Sequence, residues 1–125
     1  MRRQRGSAAV ELALVLPLLL TALLTLVQVA IVARDALVVA HAAREGAREA
    51  AVTLDEERIR AAVLRAGPHP DRTETAVERH GSVGDAVRVS VRYRVPLVVP
   101  FVGWVFGEDA TIAFASTMRQ EVEGG

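Results

Sequence analysis

Glu11 stands at the N-terminal lip of residues 12–33, a run of 22 residues without a single charge. A carboxylate beside hydrocarbon is costly unless it sits in the headgroup layer or has a partner, so an ionisable residue there points to function. The residues before it are Arg2, Arg3, Arg5 and Gly6, followed by Ser7 and three small or apolar positions. A cut after Gly6 would turn Ser7 into a charged α-amine four residues before Glu11. Helix positions four apart share a face about 6 Å apart, so the amine and the carboxylate could pair within one subunit or between neighbours. The chemistry offered is hydrolysis of one peptide bond, then an ion pair in a low-dielectric setting. The plain alternative is a glutamate that snorkels to the interface.

The other groups able to do chemistry are scattered. His41, His69 and His80 match no metal-ligand spacing, and the chain has no cysteine for a thiolate site or a disulfide. Asp55, Glu56 and Glu57 read as acids at a helix start rather than a catalytic pair. The Gly-Ser-Val-Gly-Asp stretch from Gly81 reads as a turn, because no lysine and no helix-opening pattern follow it. The expectation is therefore a chain that is not an enzyme, with no cofactor, no metal and no small-molecule substrate. Fifteen arginines balance fifteen acids, which gives no charge bias towards nucleic acid.

These residues must be positioned by a helix. Residues 12–33 would cover about 33 Å at about 1.5 Å per residue, close to the thickness of the hydrocarbon layer. A secretory signal also opens with arginines and an apolar core. Its core is usually only about 7–15 residues, and this chain shows no small-residue cleavage context near residue 33. The arginines ahead of the run have no acids among them, whereas Arg34, Asp35, Arg44, Glu45, Arg48 and Glu49 after it cancel. The positive-inside rule then puts the N-terminus in the cytoplasm and the remainder outside, in a single-pass arrangement at the plasma (inner) membrane. Pro17 removes the amide that would bond the carbonyl of Ala13 and can kink the helix. Thr21, Thr25 and Gln28 fall within roughly 60° of one another on a helix, either as a contact stripe for other helices or with the threonines bonding their own backbone.

Helical spacing continues beyond residue 33. Ala36, Ala40, Ala43, Ala47 and Ala51 form a narrow stripe that could pack on the chain's own C-terminal part or on another subunit. A second helix is expected from Asp55 to Ala66, stopped by Gly67-Pro68. Residues 68–83 show turn formers and little period. From Ala86, Val87, Val89, Val91, Tyr93 and Val95 alternate with polar residues, as Ile112, Phe114, Ser116 and Met118 do in the stretch from Ala110. These two strands should pair antiparallel. The connection between them is greasy, with Phe101, Trp104 and Phe106, and suits a flap over a small core or a patch against membrane or a neighbour. The expected fold is α+β and membrane-anchored. A leader (1–6), a transmembrane helix (7–33), an exposed helical extension (34–53) and a small extracytoplasmic α+β domain with an antiparallel β-unit (54–125) follow in order.

The basic leader, Gly6, the small residues, Glu11 and the apolar run, followed by Ala42-Ala43-Arg44-Glu45-Gly46, resemble the N-terminus of type IV prepilins. The closest likeness is to the TadE-like family of tight-adherence (Flp) pilus proteins, along most of residues 5–51. This resemblance implies that a prepilin peptidase cuts after Gly6, with Ser7 as the new N-terminus and Glu11 as the acidic fifth mature residue used in assembly. Leu12 stands where Flp-type motifs usually have an aromatic. The implied function is that of a minor pilin or pseudopilin of an adhesion pilus; the alternative is a membrane-anchored assembly factor of such a secretion or pilus system. Implied partners are membrane lipid, the peptidase, and other pilins and pilus-assembly proteins. Loss of the leader would leave twelve basic against fifteen acidic residues, easing departure from the bilayer.

Overall fold

The computed structural model describes residues 2–81, 83–97 and 110–121. A single helix, α1 (Arg2–Val52), is followed by α2 (Glu56–Ala66), a 3-10 turn (Pro70–Arg72) and three strands, β1 (Thr73–Arg79), β2 (Ala86–Val95) and β3 (Ala110–Arg119). The architecture is α+β, with one long apolar helix and one antiparallel sheet. The connection carrying Phe101, Trp104 and Phe106 lies outside the described residues.

α1 passes through Pro17 without interruption. The Thr21 hydroxyl donates to the Pro17 carbonyl at 2.8 Å, and the Thr25 hydroxyl to the Thr21 carbonyl at 2.8 Å. The threonines thus bond their own helix, and Gln28 leaves the expected stripe altogether: it is buried and donates to the carbonyl of Pro96. From Gly6 to Val27 every residue is exposed. Beyond that point the helix gains a buried face of Val39, Ala42, Ala43, Ala47 and Ala50, spaced by three and four residues. Of the expected alanine stripe, Ala43, Ala47 and Ala51 are buried and Ala36 and Ala40 half-buried, so it packs within the chain, where α1 lies against α2, β2 and β3. Small side chains permit this close approach, most of all at Gly46. A Cβ there would meet Val63 Cγ2 at 2.5 Å and Val89 Cγ1 at 3.0 Å.

The Asp55 carboxylate caps α2 by accepting from the Glu57 amide at 3.0 Å. Glu56 and Glu57 in the first turn and Arg65 in the last complement its dipole. Pro68 restricts Gly67 to extended backbone and ends the helix (φ −91, ψ 178). Buried Ile59, Ala62 and Val63 turn one face of α2 to α1, and Arg58 pairs with Glu49 at 2.9 Å. Full burial of Ile59 and Val63 contributes about 1.5–3 kcal/mol each.

The sheet order is β1-β2-β3, both pairs antiparallel. β2 is central and buries Val87, Val89, Val91, Tyr93 and Val95 against the helices, while Arg88, Arg92 and Arg94 face outwards. β3 pairs with β2 as its alternation requires, Phe114 opposite Val91 and Met118 opposite Val87. β1 was not evident in the sequence. Thr73, Thr75 and Val77 are its inner residues, but the fourth inward position is Arg79, which hides the period. That arginine closes the far end of α1. Its guanidinium donates to the carbonyls of Ala50 (2.9 Å) and Thr53 (2.7 Å), and the Glu121 amide donates to the Ala51 carbonyl (2.8 Å). Carbonyls left without helical partners are thereby satisfied from the sheet.

Candidate functional site

The bare part of α1 carries the residues singled out by chemistry. Gly6, Ser7 and Glu11 all lie within the helix and all are exposed. No atom outside the local helix comes within 4 Å of the position a Gly6 Cβ would take, so the peptide bond that follows is open to approach. Ser7 and Glu11, one helical step of four apart, share a face. The helix starts at Arg2, so the leader and the apolar run form one element. A peptidase acting after Gly6 must therefore unwind a turn, and glycine lowers that cost because it is about 1 kcal/mol less favourable than alanine within a helix.

α1 is long and apolar enough to cross a membrane. Its most apolar 18-residue window has a mean hydropathy of 2.5 and is 6% buried. Such a surface in water would be a severe liability, since exposed leucines and valines occur all round the cylinder, among them Leu12, Leu14, Leu18 and Leu26.

The remaining polar residues gather elsewhere. His41 lines a groove of about 650 Å³ between α1 and α2 together with Glu45, Arg48, Glu49 and Arg65. His69 and His80 are exposed at opposite ends of β1. A contact that sequence reasoning missed is that of Gln28 with Pro96, whose signal was a lone amide within an apolar run.

No curated protein and no solved structure matches the chain. A family model does: residues 6–48 match TadE, described as TadE-like protein, beginning at the glycine and ending inside the buried part of α1. The N-terminal third of the chain is thus TadE-like, the family its basic leader, Gly6 and Glu11 resemble, and the match supports a protein associated with the Tad pilus.

Proposed function

We propose that the chain is a TadE-like minor pilin or pseudopilin, held in the membrane by residues 6–27, cut after Gly6 by a prepilin peptidase, and then used in assembling a tight-adherence pilus. The observation that carries this reading is the placement of Gly6, Ser7 and Glu11 on a bare apolar helix within the family match. In this reading the N-terminus lies in the cytoplasm and the α+β domain outside, as the leader arginines favour. The new α-amine of Ser7 and the carboxylate of Glu11 then neutralise each other, in one subunit or across two. The pairing matters because each charge alone beside hydrocarbon costs several kcal/mol. A helix exposed on all sides offers the same surface first to lipid and then to the helices of other subunits.

The test is mass spectrometry of the protein from membranes and from sheared surface material of the native host. Ser7 is expected as the N-terminus in both fractions, and a Gly6→Ala variant should keep its leader. An intact leader in the unmodified protein would sink the processing step. Cut protein confined to the membrane would assign the chain to assembly rather than to the filament.

A further inference from the structure

Three contacts fix the level of the sheet along α1. At the far end the Glu121 amide holds the Ala51 carbonyl, a little over one turn nearer Gly46 lies against Val89, and at the near end Gln28 holds Pro96. β2 therefore descends along the helix and delivers Pro96 to the level where the bare apolar stretch ends. That stretch, residues 6–27, covers about 33 Å at about 1.5 Å per residue, matching the roughly 30 Å of hydrocarbon. On the membrane reading that sets residues 6–27, rather than the charge-free run 12–33, across the hydrocarbon, Pro96 sits at its outer boundary. Arg94, two residues up the strand, lies roughly 7 Å beyond it, within a headgroup layer of about 5–8 Å.

Arg94 is not alone at this level. Arg72 immediately precedes Thr73, the partner of Tyr93, and so lies beside it. Arg72, Arg92, Arg94, Glu74 and Thr111 line an open groove of about 290 Å³ on the outer face of the sheet. Among the described residues that line it, Glu74 is the only carboxylate, and it pairs with Arg94 at 3.4 Å in a bridge exposed enough to be weak. Among the described residues, the side chains of Arg72 and Arg92 have no hydrogen bond or ion pair. The lining thus carries three guanidinium groups against one carboxylate. Asp71 flanks it, and Glu108 and Asp109 precede Ala110 in the sequence. On α1, Arg34 and Asp35 offset each other at a similar level.

We propose that this groove of Arg72, Arg92 and Arg94 binds the phosphates of anionic phospholipid headgroups. Guanidinium forks suit phosphate oxygens in bidentate fashion, and arginine stems reach down along the sheet while the heads stay in the polar layer. Because the groove lies to one side of α1, binding there sets the direction in which the helix tilts, sheet side towards the membrane. A membrane helix tilts by about 20° on average, which provides the freedom to do so. The inference rests on the membrane reading of residues 6–27 but not on cleavage or assembly.

The test uses the full chain, which lacks cysteine, with a fluorescent donor on Ala115→Cys, exposed on β3 outside the groove lining, and an acceptor on the lipid headgroups. It is reconstituted in phosphatidylcholine vesicles with or without about one-third phosphatidylglycerol, and vesicle flotation after an alkaline wash scores embedding. Each arginine near an anionic surface is worth about fivefold, so the two guanidinium groups that Glu74 does not offset should shift the near-to-far population by at most about thirtyfold when phosphatidylglycerol is present, less the repulsion from Asp71, Glu108 and Asp109. The shift should be absent from the Arg72→Gln/Arg92→Gln/Arg94→Gln variant, be reduced by about 0.5 M salt, and persist in Arg58→Gln/Arg60→Gln. Embedding without a dependence on phosphatidylglycerol, or with an equal dependence in the triple variant, would overturn the lipid site alone. Failure to float would overturn it together with the membrane reading.

Discussion

Gln28 Nε2 donates to the carbonyl oxygen of Pro96 at 3.3 Å, joining positions 68 residues apart. One is a lone amide within the apolar run of α1; the other directly follows the central strand. Their contact fixes how deep the α+β unit rides on α1. Gln28→Leu removes the donor and leaves a half-buried carbonyl unsatisfied, which costs about 1–3 kcal/mol. Thermal unfolding of the full chain in detergent should fall by several degrees, and unchanged melting would show that this contact does not hold the sheet.

Arg79 is expected to matter more than an average half-buried arginine. Arg79→Met keeps the stem but abandons the Ala50 and Thr53 carbonyls. Hydrogen bonds to a charged group contribute about 1.5–3 kcal/mol each, so a loss of at least about 2 kcal/mol is expected. Amide exchange should accelerate around residues 49–53, with partial recovery in Arg79→Lys. Equal protection in all three proteins would remove the capping role.

Gly46→Ala should destabilise the protein even though alanine favours a helix by about 1 kcal/mol. The added methyl would stand 2.5 Å from Val63 Cγ2, and such overpacking costs about 1–3 kcal/mol. In a double-mutant cycle, Val63→Ala should absorb part of that loss. Additive effects, or a Gly46→Ala variant more stable than the parent, would contradict the close approach of α1, α2 and β2.

Glu11→Ala should leave insertion and cutting intact while lowering recovery in sheared surface material, because the Ser7 amine loses its partner. Glu11→Asp, shorter by one methylene, should show a partial defect. The comparison is made at equal expression. Normal assembly of both variants would reduce Glu11 to an interfacial carboxylate with no role in pairing.

Much of this fold was legible because hydrophobic period survives in single elements. The alanine spacing after residue 33 and the acids before Ile59 each name a helix, and the alternation from Val87 to Val95 names a strand and its inward face. β1 was not legible. It is an edge strand whose threonines and Val77 are only half-buried, and its inward Arg79 serves the end of a helix 26 residues away by hydrogen bonding to Thr53. The direction of the alanine stripe was equally hidden, since small residues suit the approach of a sheet as well as that of another helix. At the N-terminus the residues of the proposed processing site could be named from the family resemblance of the basic leader, Gly6 and Glu11. That Gly6 lies inside a helix begun at Arg2 could not, because arginines and a glycine carry no helical period of their own.

The absence of any break in α1 has a mechanical side. The rod that would be drawn out of the lipid is also the spine of the folded unit, so a pull along its axis meets no slack linker. The load enters as shear along the whole length of helix lying on β2 and β3, and it is borne by many side chains at once instead of being peeled row by row. With Gln28 tied to Pro96 at one end and Ala51 to Glu121 at the other, the sheet rides on the rod like a splint lashed at both ends, and any rotation of the rod turns it by the same angle.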